Sequence, residues 1–240
     1  MALSSGIDLK GDCFARVALC AILAISMSAC ASTSKPEATP PSPTTAEPVF
    51  LTDETLCEAV SHQLLKDELS FQVEDYTYEH KAFIDQNGEN ADTFNCDLYG
   101  WHLPPGGQYG LSIGYAPGRQ LSAGLTSYDF SALDDDGMDS ITLEGIEGRG
   151  YIWINSSSWH ASAAWLYPDD HALHIIFFSR GGSEPASDND AAIEDMRTLL
   201  KELIVAIPPV AAGPDQGFTF VPNPHDPQDA ARRRTSTATP

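Results

Sequence analysis

The chain has 240 residues, with 13 basic and 34 acidic side chains and a formal net charge of −21. Nearly all of that charge sits in 49–212, which carries 27 acidic and 7 basic side chains, a net of −20. A domain so rich in carboxylates repels nucleic acid and anionic lipid head groups, so no nucleic-acid partner is expected.

The first element is a leader over 1–29. Arg16 precedes thirteen apolar or small residues, VALCAILAISMSA. A membrane-spanning helix needs about 20 apolar residues, so this run is short for a span but fits the core of an exported signal peptide. Lys10 lies upstream, where Asp8 and Asp12 dilute the positive charge. The run ends Met27-Ser28-Ala29-Cys30. It resembles a lipobox, with Met27 where an aliphatic residue, usually Leu, is the rule. The resemblance implies cleavage before Cys30, lipid on Cys30, and an anchor at the extracytoplasmic face of the cell membrane. Ordinary cleavage, leaving a secreted chain with a free Cys, is the alternative.

Residues 30–48 continue CASTSKPEATPPSPTTAEP. Pro, Ser, Thr and Ala with almost nothing to bury cannot offset chain entropy. Eighteen such residues, extended at about 3.1 Å each, reach roughly 55 Å, enough to hold a domain clear of a bilayer.

Five cysteines occur. Cys13 and Cys20 fall in the leader and Cys30 at its end, which leaves Cys57 and Cys96 in the folded part. In an oxidising compartment an even remainder suggests a disulfide. Closing a loop of about 40 residues is worth roughly 4 kcal/mol in the loop-entropy description. Two buried free thiols are the alternative; a metal site lacks any CxxC or nearby Cys/His spacing.

Within 49–212, Thr52 can cap a helix over 53–66, with Asp53 and Glu54 in its first turn and Leu56, Val60 and Leu64 at helical spacing. Strands are expected over 71–78, over 93–101 with Phe94, Cys96 and Leu98 on one face, and over 109–115. There Tyr109, Leu111, Ile113 and Tyr115 alternate. Leu121, Ala123 and Leu125 continue after a Pro117-Gly118 turn, and 141–146 and 150–154 are weaker strands. A hairpin over 159–179 folds back at Tyr167-Pro168-Asp169-Asp170. Asp188 can cap a last helix bearing Ile193, Met196, Leu200, Leu203 and Ile207. The pattern predicts an α+β domain: an antiparallel sheet with the N-terminal and C-terminal helices on one face. The Pro-rich tail, 213–240, is expected to be disordered, with Phe218 and Phe220 able to dock and Arg232 to Arg234 its one basic cluster.

Candidate chemistry is sparse. Gly110-Leu-Ser-Ile-Gly114 matches G-x-S-x-G, but that motif needs a strand, a strained turn and a helix. The alternation through it and Pro117 after it place Ser112 in a plain strand, so a small serine hydrolase is the least favoured reading. The acidic run 134–139 fails the EF-hand spacing, since Ala132 and Leu143 fall at the first and last ligand positions. It leaves Asp134, Asp136 and Asp139 as the candidates for a non-EF cation site, beside the simpler reading of an acidic turn. His160, His171 and His174 share the hairpin. With Leu166 opposite His171, His174 faces away from the other two, and His160 lies roughly 20 Å from His171 along the strands. A one-residue slip would reverse those faces. The same register puts Trp159, Ala161, Ala163, Trp165, His174, Ile176 and Phe178 on one face, a seat for the last helix or an aromatic pocket for sugar or lipid. Asn155-Ser156-Ser157 is a formal glycosylation sequon.

These features together resemble the actinobacterial lipoproteins known only as a domain of unknown function. Such proteins share a lipobox, a Pro/Thr-rich tether, a Cys opening the first helix, a second Cys shortly before a Trp, a late strand pair and a closing helix. Here the matching residues are Cys30, Cys57, Cys96 and Trp101, with the 159–179 hairpin and a helix ending at Ile207. The Cys96–Trp101 spacing is longer than the family's. The resemblance covers about 51–208 and implies location and fold, with no catalytic residue or cofactor. The expectation is a membrane-anchored, non-enzymatic domain that binds a partner protein or small ligand; the alternative is a cation-binding module at 134–139.

Overall fold

In a computed structural model of the protein the described residues are 49–103, 106–124, 126–136, 138–155, 160–181 and 189–223. The leader, Cys30, the tether and the chain beyond 223 lie outside them, as do Leu125, Gly137, the Ser156-Ser157 part of the sequon, Trp159 and Asp188. Among the described residues no helix is long and apolar enough to cross a membrane.

The sequence expectation of a helix over 53–66 is corrected. Thr55–Leu56 (β1) and Val60–Ser61 (β2) form a small antiparallel hairpin instead. Cys57 and Glu58, between them, take left-handed backbone at φ 49° and 60°, which a helix cannot accommodate. Leu56 and Val60 are both fully buried, so a tight turn meets the four-residue apolar spacing as well as a helix would. The helix begins later, at His62–Leu69 (α1), capped by Ser61 Oγ, which accepts from the Leu64 N–H at 3.2 Å. It buries His62, Leu65 and Leu69 rather than Leu64.

The framework is one eight-stranded antiparallel sheet. In chain order its strands are Phe71–Lys81 (β3), Thr93–His102 (β4), Gly107–Ala116 (β5), Ile141–Leu143 (β8), Ile146–Asn155 (β9), His160–Leu166 (β10), Ala172–Ser179 (β11) and Gln216–Val221 (β12). Between β5 and β8 come a two-stranded hairpin, Gln120–Ala123 (β6) and Thr126–Asp129 (β7), and a short helix, Ser131–Asp135 (α2). Across the sheet the order is β12-β3-β4-β5-β11-β10-β9-β8. The α+β class expected from the sequence is the class found.

One large core holds Phe71, Phe94, Leu98, Leu111, Ile113, Trp165, Leu173 and Ile175 from the sheet. Leu65 of α1 and Met196, Leu200, Leu203 and Ile207 of the final helix, Asn189–Ala211 (α3), join the same cluster. We call this the inner face. Cys57 is bridged to Cys96 on it, with Cα atoms 6.1 Å apart. The bond fastens the β1–β2 turn to a central strand.

The last helix does not end at Ile207; it runs through Pro208 and Pro209 to Ala211. A proline inside a helix leaves the carbonyl four residues back without its N–H. For Pro208 that carbonyl is Ile204, and it accepts instead from the Tyr167 hydroxyl at 2.9 Å. A side chain from the hairpin thus fills the gap in the ladder.

The tail is also corrected in part. Residues 216–221, expected to be disordered, form β12 on the edge of β3. The edge supplies backbone partners, so the strand forms while Phe218 and Phe220 stay 70% and 44% exposed. Asp215 assists by accepting from the Ala82 N–H at 3.0 Å.

Candidate functional site

The hairpin register decides what the outer face carries. Leu166 pairs with Ala172, not His171, because the turn runs from Tyr167 to His171 and the Tyr167 N–H donates to the His171 carbonyl at 2.9 Å. This one-residue slip corrects the expected faces. Ala161, Ala163 and Trp165 join Leu173, Ile175 and Phe177 in the inner core, while His174, Ile176 and Phe178 point outward with His160 and Ser162. His160 and His174 therefore share a face, and His171 stacks on Tyr115 at 4.8 Å outside the strand.

Half of the outer face is covered. The β6–β7 hairpin and α2 lie on it, burying Leu121, Phe130 and Leu133 against Tyr151, Ala164, Leu166 and Ala172. His174 is sealed there, its ring 6.0 Å from Trp153 and 5.6 Å from Tyr128. Neither of its ring nitrogens finds a hydrogen-bond partner among the described residues. Burial, and secondarily the nearby His160, pull its pKa down to about 4.

The G-x-S-x-G sequence has a packing explanation. β5 runs straight through it, and Gly110 and Gly114 sit on the outer face with Ser112. The backbone carbonyl of Ser122 in β6 rests directly on Gly114, where any Cβ would collide with it. The ring of Phe178, the cross-strand partner of Gly110, occupies the space a Cβ there would need. The Ser112 hydroxyl donates to Asp97 Oδ1 at 2.5 Å. A direct Ser–Asp pair on an unbroken strand is not the Ser–His pair that raises a nucleophile.

At the step where the covering hairpin stops, an open groove of about 630 Å³ forms. Its floor and walls are Asp97 and Tyr99 of β4, Ser112 of β5, and Ile176, Phe178 and Arg180 of or just after β11, with His160 of β10 and Gly124 at the hairpin tip. The Arg180 guanidinium sits 4.7 Å over the Tyr99 ring. Burial raises the Tyr99 pKa, Asp97 adding to it and Arg180 opposing, so the phenol stays protonated at neutral pH. Burial lowers the pKa of His160. The groove thus offers a carboxylate acceptor, a guanidinium donor, a phenol, a neutral imidazole and one aromatic face.

Sequence reading singled out Ser112, His160 and Phe178 but did not bring them together, and it missed Asp97, Tyr99 and Arg180. The signal for Asp97 and Tyr99 was present. With Phe94, Cys96 and Leu98 inward, the residues between them must face out.

The acidic run is used differently. Asp134 takes the two ends of the Arg149 guanidinium and accepts from the Tyr151 hydroxyl, with Arg119 4.0 Å away. These bonds, Arg149 first and Tyr151 next, hold its pKa down to about 2. Asp134 therefore pins α2 to β9. Asp136 and Asp139 are exposed. No group of three or more His, Cys, Asp or Glu able to hold a metal ion occurs among the described residues.

No protein-family model, curated protein or solved structure matches this chain.

Proposed function

We propose that this is a lipid-anchored extracytoplasmic protein whose domain works by binding, not catalysis, with the groove at the hairpin step as its ligand site. The observation that carries the reading is the gathering of Asp97, Tyr99, His160, Phe178 and Arg180 around one open cavity. Groups of both charges beside an aromatic face are what a site for a small polar ligand requires. The Ser112 hydroxyl, bonded to Asp97, lines that cavity as a positioning group. The anchor rests on the lipobox-like run ending at Cys30 and on the resemblance to tethered lipoproteins through Cys57, Cys96 and Trp101. Residues of α1 and α3 share the core cluster with the inner face, and the groove opens on the outer one.

The anchor is tested by intact-mass analysis of the protein from membranes of its native host, with and without Cys30→Ser. A mature chain starting at Cys30 with added acyl mass, absent in the variant, is the expected result; an unlipidated soluble chain rejects the anchor. Absence of catalysis is tested by screening the full chain against ester and amide substrates. Turnover abolished by Ser112→Ala would overturn the binding reading.

A further inference from the structure

The shape of the groove floor narrows the ligand class, an inference that rests on the binding reading above. Phe178 does not stand upright on the sheet. A Cβ built on Gly110 would lie 2.9 Å from both Cε1 and Cε2 of that ring, with Cζ nearer still. That small difference between Cζ and the two Cε atoms puts the Cβ under the ring face at its Cζ end; an approach in the ring plane would leave the Cε atoms much further off than Cζ. The ring is therefore folded down over Gly110, one face to the backbone. Phe178 is only half-buried and lines the groove, so its other face is turned up into the cavity.

The ring forms a platform on the sheet. Gly110 is what permits it, since any side chain there would lift the ring. Around the platform stand groups suited to hydroxyls: the Asp97 carboxylate, already accepting from Ser112, and the Arg180 guanidinium, held over Tyr99. A flat apolar surface flanked by a charged acceptor and a charged donor matches a ring that is apolar on its face and hydroxylated at its rim. Adjacent hydroxyls of such a ring each donate and accept, and hydrogen bonds to charged groups are the stronger class. The domain's net charge of −20 over 49–212 disfavours anionic ligands. We infer that the groove binds a neutral saccharide, one sugar ring lying on Phe178 with its hydroxyls shared between Asp97 and Arg180.

The test is saturation-transfer NMR on the full chain at pH 7. The probes are neutral hexoses, N-acetylhexosamines and their disaccharides, with glucuronate and benzoate as charged and aromatic comparisons. Saturable binding of a neutral sugar is expected, lost in Phe178→Ala and weakened about tenfold in Asp97→Asn, in line with loss of a charge-assisted hydrogen bond. The Asp97→Asn side chain keeps its size and can still accept from Ser112, so it serves if Phe178→Ala does not fold; melting curves of both variants establish that. Binding of benzoate alone would overturn the saccharide assignment and leave the groove as a binding site. Failure of every sugar to bind, or sugar binding unchanged in both variants, would also overturn it.

Discussion

The two halves of the outer face show how one sheet can serve two purposes. Around Gly114, Tyr151, Ala164 and His174, on β5, β9, β10 and β11, the face is covered. Gly114, Ala164 and Ala172 keep it low, and the β6–β7 hairpin and α2 lie on it closely enough to seal His174 away from water. Over β12, β3 and β4 no described helix or strand lies on the same face. Thr77, Glu79, Asn95, Asp97 and Tyr99 stand on it, and Phe218 and Phe220 remain exposed at the edge. The difference lies in side-chain size and charge, not in backbone, which is antiparallel throughout. The second layer settles where Gly114 admits the hairpin backbone and the neighbouring side chains are largely apolar. The groove lies at the edge of that layer, with Ala123 and Gly124 at the end of the hairpin in its wall.

The largest test of this contrast is Gly114→Val. The branched side chain must displace the Ser122 carbonyl, lifting β6 and opening the covered half at a cost of more than about 3 kcal/mol, read by chemical unfolding. A loss below about 1 kcal/mol would mean the hairpin is not seated as described.

Next comes acid. The pKa of His174 in the folded chain is about 4, below the ordinary value near 6.5, so the unfolded chain takes up the proton first. Stability is full above pH 6.5 and falls as the pH drops from there to 4, by about 3 kcal/mol. His174→Phe should flatten that segment of the pH profile; an unchanged slope would place the titration elsewhere.

A smaller effect is expected for Asp134→Asn. Its partly exposed pairing with Arg149 limits the loss to about 1 kcal/mol. The stability from the charged form is present above about pH 4 and disappears as the pH falls towards 2. In the half around β12, Phe218→Ser should change stability by less than about 0.5 kcal/mol, since the ring is 70% exposed; a melt shifted by several degrees would show that the edge is covered after all.

Legibility in the sequence followed burial. The strand at Tyr109, Leu111, Ile113 and Tyr115 could be read because one face is inside and the alternation shows it. The first helix was misplaced because Leu56 and Val60, four apart, are buried equally well by a tight hairpin. No local pattern announces two left-handed residues at Cys57 and Glu58. β12 was illegible for the opposite reason: it gains backbone hydrogen bonds and buries little, so composition around Pro214 and Pro222 spoke for disorder. The candidate site depended on register. Moving the Leu166 partner from His171 to Ala172 carried Phe178 and His174 from the expected core face to the outer one, and only a turn one residue longer, closed by Tyr167 and His171, distinguishes the two. Asp97 meeting Ser112 depends in turn on the β4–β5 pairing, which no single strand specifies.

The described chain enters and leaves at the same corner. The Asn223 side chain donates to the Val49 carbonyl at 2.8 Å, and Leu51 and Val221 both lie along β3. The folded part is thus nearly a closed ring. A permuted gene joining 223 to 49 through a few flexible residues, and opening instead at the exposed Asn87-Gly88 tip of the β3–β4 connection, would encode the same sheet with both new ends far along the chain from the groove residues of β11.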